Sequence, residues 1–339
     1  MREVRTGNYL AASKSCGRAK TAGWVFQAVM PVRYAVVLNN FGLSRLELHD
    51  YQSARMNLEE AEKRLKSLLP DGARGYAVVL NNLGNLSERD GDFKSQEFWY
   101  RQSISAFDDL RLHCDRTASI ANSNLASALS ALGRLNEAEA VILTRIARND
   151  DCKSIPLYVR GSALRRLGEI QTWKIEEEAA LVTFESAISL LRQAQGESSL
   201  EMARTLIGRA TALRRLKRFS ETEQDAGLAL PMLSEWVGAD AVEVGTVHSV
   251  IGNSLKDQRK YVQALEEFKQ ADRIYRTSLG RDHPWLASLQ LQMGRTYRAL
   301  GEKTQATTAF KDAERIRINT FGVGSQQVLS VRKELDKDQ

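Results

Sequence analysis

Apolar residues recur at intervals of three and four along most of the chain, and short polar turns separate the apolar runs. In residues 244–285, for example, one run includes Val247, Val250 and Leu255, and a second run begins at Tyr261 after a polar turn. This spacing places the apolar side chains on one face of an α-helix. The pattern therefore predicts a helix–turn–helix unit, whose two helices we call helix A and helix B.

The unit recurs at a fixed step of 42 residues. The heptapeptide YAVVLNN occurs at residues 34–40 and again, identically, at residues 76–82. At the same step a small residue, here called the anchor, recurs in seven units, and alanine follows five of the seven anchors after twelve residues. The anchors are Gly42, Gly84, Ala126, Gly168, Ala210, Gly252 and Gly294. Because one helix pair cannot bury its apolar face alone, the repeat predicts pairs that stack on one another.

A small anchor that is followed by alanine, often with an aromatic residue three positions before that alanine, resembles the tetratricopeptide repeat. The 42-residue step is similar to the longer units of kinesin light chains, which end in a Gly-x-x-His-Pro-like turn. Residues Gly280 to Pro284 contain such a turn. The resemblance implies an all-α, right-handed α-solenoid of stacked repeats that binds proteins. WD40 blades would require strands and their own signatures, and HEAT repeats, the nearest helical alternative, lack the fixed anchor-to-alanine step.

The repeat also predicts how the chain is divided. Seven units are expected over residues 34–327, and residues 328–339 are expected to form a C-terminal capping helix. Residues 1–33 match helix B of a partial N-terminal repeat with a connector, and they include an apolar stretch from Trp24 to Val32. This stretch suggests self-association or a missing upstream portion. It motivates an alternative function, in which the chain is the sensor or regulatory part of a larger signalling or defence protein.

Asparagine recurs beside the anchors on helix A, which lines the concave groove in the folds that the chain resembles. Asparagine is a poor residue for a helix interior, so its repeated use requires a reason. A carboxamide offers donors and an acceptor to the main chain of an extended peptide. The alternative is that each carboxamide hydrogen-bonds a neighbouring helix. The candidate partner-binding asparagines are Asn39, Asn40, Asn81, Asn82, Asn85, Asn124 and Asn253.

Further along the chain the same face of helix A becomes basic. Guanidinium groups bind carboxylates at two points, so this part favours an acidic or phosphorylated partner segment. The alternative is that these side chains pair with acidic residues of the adjoining unit. The candidate basic residues are Arg165, Arg166, Arg214, Arg215, Lys256, Arg295 and Arg298.

Composition excludes several other functions. The net charge of +6 is compatible with nucleic acid, but few aromatic residues are expected on the basic face to stack bases, so nucleic acid is an unlikely partner. The four histidines occupy unmatched positions, and we find no catalytic motif, so neither an enzyme nor a metal or cofactor site is expected. Cys16, Cys114 and Cys152 have no metal-ligand spacing. We interpret them as reduced thiols, which predicts a cytoplasmic protein without a membrane span.

Overall fold

The computed structural model of the protein describes residues 14–15, 30–48 and 50–337. Every helix or strand assigned within these ranges is an α-helix, and consecutive helices pack as pairs. The helices are α1 (Pro31–Glu47), α2 (Tyr51–Ser67), α3 (Ala73–Arg89), α4 (Phe93–Asp109), α5 (Arg116–Ala131), α6 (Leu135–Asp151), α7 (Leu157–Trp173), α8 (Glu177–Gln195), α9 (Leu200–Arg215), α10 (Phe219–Val237), α11 (Val242–Asp257), α12 (Tyr261–Leu279), α13 (Pro284–Ala299), α14 (Lys303–Phe321) and α15 (Gln326–Asp336). The predicted all-α fold class is confirmed.

Odd-numbered helices correspond to helix A, and even-numbered helices correspond to helix B. The predicted partial repeat in residues 1–33 lies almost entirely outside the described residues. At the other end, α15 begins close to the predicted capping helix and occupies the position of a further helix A. Local sequence explains many of the helix ends. Asp50 and Asp92 cap α2 and α4, because their carboxylates accept hydrogen bonds from the backbone N–H groups of Ser53 and Ser95 at 3.2 and 3.1 Å.

The anchors allow the two helices of a pair to approach closely. A Cβ atom on Gly84 would lie within 2.9 Å of three carbon atoms of the Tyr100 ring, and similar contacts occur at the other glycine anchors. The pairs of a glycine anchor and the helix B side chain that fills its place are Gly42 with Leu58, Gly84 with Tyr100, Gly168 with Phe184, Gly252 with Phe268, and Gly294 with Phe310. Where the anchor is alanine, the residue sixteen positions later is Ile142 or Ala226, and neither carries a ring. The size of the anchor is therefore matched to the side chain of helix B.

The chain divides into two compact units, one up to Arg166 and the other from Leu167, and the boundary falls inside α7. We call them the N-unit and the C-unit. In the N-unit, Leu38, Leu58 and Val79 belong to one fully buried apolar cluster. In the C-unit, a cluster around Phe268 and Leu286 has the same function. Each cluster draws on successive helices, as expected for repeats that bury their apolar faces against their neighbours.

Candidate binding surface

The predicted asparagine row exists in the N-unit, where α1, α3 and α5 are successive A helices. Asn82 Nδ2 donates a hydrogen bond to Asn39 Oδ1 across the contact between α3 and α1, at 2.8 Å. Asn81 Nδ2 donates to Asn82 Oδ1 at 3.4 Å. All three side chains are more than nine-tenths buried. At this point in the row, the carboxamides connect neighbouring A helices.

The row continues to α5 through a second set of hydrogen bonds. Asn124 Nδ2 lies 3.2 Å from Asn85 Oδ1 and 3.4 Å from Asn81 Oδ1. The Tyr100 hydroxyl of α4 donates to Asn85 Oδ1 at 2.8 Å. Burial raises the pKa of Tyr100 well above its ordinary value, so the hydroxyl stays protonated and remains a donor. A helix B side chain therefore helps to fix the orientation of the carboxamides.

These contacts give the row a structural function in addition to any binding function. The alternative interpretation, hydrogen bonding to a neighbouring helix, describes the buried members and also Asn85 and Asn124. Asn40, Asn85 and Asn124 are half-buried and retain accessible surface. Asn253 differs from the others, because it lies in the C-unit and donates to the Ser249 carbonyl oxygen of its own helix at 2.8 Å. Recognition of a peptide by the asparagines stays a prediction.

The basic candidates of the C-unit form ion pairs and hydrogen bonds with other helices. Arg214 of α9 pairs with Asp257 of α11. Arg215 Nη1 donates to the Thr172 carbonyl oxygen at 2.7 Å and lies 3.5 Å from Glu177 Oε1. Ion pairs of this kind were the alternative to recognition of an acidic partner. Arg165 and Arg166 belong to the N-unit, where both are half-buried on α7.

Lys256 lies half-buried among cationic neighbours. Its ammonium group donates to Gln292 Oε1 of α13 at 2.9 Å and lies 3.3 Å from Asp257 Oδ1. Burial lowers the pKa of Lys256, and the positive charges of Arg214 and Arg295 act in the same direction. Asp257, which opposes this effect, also pairs with Arg214. Two cationic side chains therefore share one carboxylate.

Glu334 of α15 pairs with the last two basic candidates, Arg295 and Arg298. Its carboxylate accepts hydrogen bonds from Arg295 at 2.8 and 3.0 Å, from Lys337 at 3.0 Å, and from Arg298. Burial alone would raise the pKa of this carboxyl group, but the hydrogen bonds from three cationic side chains lower it to about 2. Sequence reasoning did not identify Glu334. It could have been identified from the repeat, because Glu334 lies one 42-residue step after Gln292, in the same row of helix A.

We call Arg214, Lys256, Arg295 and Arg298 the basic row. Among the described residues that pair with them, two carboxylates, those of Asp257 and Glu334, face these four cations. In each of these groups, two cations of the basic row share one carboxylate.

The structure corrects the prediction made for two cysteines. Cys114 and Cys152 form a disulfide, so their interpretation as reduced thiols was wrong; Cys16 lies outside the described residues. The thiol-based reason for a cytoplasmic location is thereby removed. The donor atoms of His113 and both cysteines lie within 4.8 Å of one another. The disulfide could have been predicted from position in the repeat, because Cys114 and Cys152 lie in the connections α4–α5 and α6–α7 of successive units.

Comparison with known proteins agrees with the repeat. The sequence profile of the tetratricopeptide repeat family matches residues 243–319, which lie within α11 to α14. No curated protein sequence matches the chain. No helix in the described part of the chain is long and apolar enough to cross a membrane.

Three solved structures illustrate the similarity of fold. A Rap protein complexed with competence and sporulation factor is 9% identical, with a TM-score of 0.64 over 96% of this chain and 81% of that one. The Rap conjugation gene regulator of plasmid pLS20 in complex with the Phr* peptide is 15% identical, with a TM-score of 0.64 over 88% and 79%. BtubC (BKLC) from P. vanneervenii is 19% identical, with a TM-score of 0.51 over 69% and 94%. At these identities the likeness concerns the fold alone.

Proposed function

Because the chain is a tetratricopeptide repeat protein, we propose that it is a non-catalytic scaffold that captures a segment of a partner protein on its A helices, with a preference for acidic segments. Helical repeats of this kind present extended surfaces for binding, and function is determined by the side chains on those surfaces. The side chains to consider are therefore those of the basic row and of the asparagine row.

The charge balance of the basic row supports the acidic preference. Lys256 is half-buried and shares Asp257 with Arg214, so its ammonium group lacks a carboxylate of its own. An ammonium group that loses hydration on burial is stabilised by a nearby anion. A carboxylate from a partner would supply this anion, and a charge-assisted hydrogen bond would result.

The half-buried asparagines give the N-unit a possible binding surface of its own. Asn40, Asn85 and Asn124 could hydrogen-bond the main chain of a peptide without selecting its side chains. Two of the similar solved structures are complexes, one with the Phr* peptide and one with competence and sporulation factor, which supports peptide capture as the use of the fold. Their sequences are too different to transfer any particular ligand.

Other expectations from the sequence stay predictions. The proposed self-association through residues 1–33 concerns residues that are almost all outside the described ranges. A regulatory portion of a larger protein remains an alternative function. A cytoplasmic location remains an expectation, although it no longer has support from reduced cysteines.

The proposal can be tested with selected peptides and one matched pair of variants. A display library of random linear peptides would be selected on the purified chain, and the enriched peptides would be measured by fluorescence anisotropy. We expect the enriched peptides to contain an excess of Asp and Glu. In Lys256→Gln, where the Arg214–Asp257 pair is retained, we expect their affinity to fall by roughly 10- to 150-fold, since a hydrogen bond to a charged group contributes about 1.5–3 kcal/mol.

Lys269→Gln is the matched control, because it removes the same charge from an exposed position on α12, a B helix. Equal losses in both variants would indicate attraction to net charge alone and would contradict recognition by the basic row. An enriched set without acidic character would contradict the acidic preference. A single-stranded RNA measured in the same assay tests nucleic-acid binding directly, since tighter binding of RNA than of the peptides would replace the proposal.

A further inference from the structure

We propose that His113, Cys114 and Cys152 form a redox-gated site for a thiophilic divalent metal ion such as Zn²⁺, which the site binds when the Cys114–Cys152 disulfide is reduced. The proposal concerns the connections α4–α5 and α6–α7 in the N-unit. It is independent of the basic row, which lies in the C-unit.

The three side chains provide a suitable set of donors. Two thiolates and one imidazole are ligands that Zn²⁺ prefers, with metal–ligand distances of about 2.0–2.3 Å. Donors around a tetrahedral ion at these distances lie roughly 3.6–3.8 Å apart. The donor atoms of His113, Cys114 and Cys152 all lie within 4.8 Å of one another. Small side-chain rotations are therefore enough to surround an ion once the sulfur–sulfur bond is broken.

The backbone beneath the site is held by hydrogen bonds that do not depend on the disulfide. Arg145 Nη1 donates to the His113 carbonyl oxygen at 2.8 Å. Arg160 Nη2 donates to the Cys152 carbonyl oxygen at 2.8 Å, and the Cys152 N–H donates to the Asn149 carbonyl oxygen at 3.2 Å. None of these contacts involves a sulfur atom, so reduction of the disulfide removes none of them directly. The two thiols therefore remain neighbours, and the site is preorganised.

The charge of the site suits a divalent cation. The Arg145 guanidinium group is only 1% exposed and donates to the His113 carbonyl oxygen. The thiolate is the form of cysteine that binds metal. Two thiolates would neutralise the charge of a divalent ion. The bound ion would then add no net charge beside the buried guanidinium group.

The fourth coordination position would be taken by water or by a group from a partner. Asp115 follows Cys114 directly, but its carboxylate already accepts a hydrogen bond from the Thr117 N–H at 2.7 Å and pairs with Arg74 at 2.8 Å. His113 and Cys114 are at least partly exposed, so solvent can reach the site. Three protein ligands with one open position are typical of exchangeable zinc sites rather than closed structural ones.

The conversion between the disulfide and the metal-bound state balances in atoms and electrons. A dithiol reductant supplies two electrons and two protons, its own sulfurs form a disulfide, and Cys114 and Cys152 become thiols. The metal ion then displaces both protons and forms two metal–sulfur bonds, and an imidazole nitrogen of His113 donates the third electron pair. In the opposite direction, a small disulfide oxidant takes two electrons from the two thiolates and two protons from water and becomes a pair of thiols, while the Cys114–Cys152 bond re-forms and the ion is released. The disulfide and the bound metal ion both connect the α4–α5 loop to the α6–α7 loop, so each can take the place of the other as a cross-link.

The test uses Co²⁺ as a spectroscopic substitute for Zn²⁺, because thiolate coordination gives a charge-transfer band. All measurements are made in the Cys16→Ser background, so that only Cys114 and Cys152 contribute thiols. We expect the reduced protein to bind one Co²⁺ with this band, and Zn²⁺ to displace it. We expect no band from the oxidised protein or after Cys114→Ser. His113→Ala should weaken Co²⁺ binding by at least about tenfold.

His248→Ala is the matched control, since this histidine lies in the C-unit and should not alter Co²⁺ binding. His113→Ala leaves both cysteines and the disulfide in place, so it tests ligation even if a cysteine variant folds poorly. The proposal is overturned if the reduced protein gives no thiolate band, if the band persists in Cys114→Ser, or if His113→Ala and His248→Ala bind Co²⁺ equally.

Discussion

Replacement of Glu334 by glutamine should weaken the attachment of α15 to the C-unit. The ordinary pKa of glutamate is 4.5, and in the folded protein the pKa of Glu334 is lowered to about 2. A difference of one pH unit corresponds to about 1.4 kcal/mol, so the carboxylate contributes about 3 kcal/mol to folding. Since the pKa is lowered in the folded state, this contribution is complete at neutral pH and is lost as the pH falls from 4.5 towards 2.

The effect should be local, because each repeat contacts only its neighbours. Glu334→Gln removes the carboxylate that Arg295 and Arg298 share, while Val328 and Val331 still anchor α15 through fully buried side chains. We expect the free energy of opening α15 at pH 7 to fall by about 2–3 kcal/mol, with little change in α9. Hydrogen exchange resolved by peptide, with intrinsic rates corrected for pH, measures both quantities.

Glu314→Gln provides the comparison, because Glu314 of α14 also pairs with a cation of α15. Glu314 pairs with Arg332 at 2.6 Å, but this pair is partly exposed and involves a single cation, so its loss should cost less than about 1 kcal/mol. Equal protection of α15 in the two variants would refute the reasoning. So would a wild-type protein in which the opening free energy of α15 is the same at pH 7 and pH 3.

Two further changes test packing and cross-linking in the N-unit. Gly84→Ala should destabilise it by about 1–3 kcal/mol in urea unfolding, because the new Cβ would overlap the Tyr100 ring; unchanged stability would contradict the proposed matching of anchor and ring. Cys114→Ser should lower its stability by about 4 kcal/mol, since the disulfide closes a separation of 38 residues. Reduction of the wild-type protein should give the same loss, and a stability that is insensitive to reductant would contradict the cross-link.

The helices could be predicted because their signal is periodic. A small residue at Gly84 and another at Gly252, in register across four repeats, can be recognised without any knowledge of contacts. The partner of each anchor was harder to predict, because it depends on how helix B crosses helix A. The evidence was nevertheless in the chain, since a bulky side chain sixteen residues on accompanies each glycine anchor and no ring accompanies Ala126 or Ala210.

The candidate site could be predicted by position but not by contact. The spacing identified Asn82 and Arg295 as members of a row on helix A. It could not show that Asn82 donates to Asn39 or that Arg295 meets Glu334, because these contacts depend on side-chain orientation. The disulfide was missed for a related reason. Motif spacing compares residues close in sequence, whereas Cys114 and Cys152 approach through successive loops of the repeat.

A row of polar residues at the repeat spacing has two possible causes, and both require the same spacing. A side chain that bonds the next repeat and a side chain that lines a groove must each recur once per unit on helix A. The accessible surface that each side chain keeps helps to distinguish these two causes. In the N-unit, Asn82 is buried and bonded across helices, whereas Asn40 keeps accessible surface. In the C-unit, Lys256 keeps accessible surface although it also bonds Gln292 of α13. Partner recognition is therefore best sought at these half-buried members, because part of each side chain stays accessible to a partner.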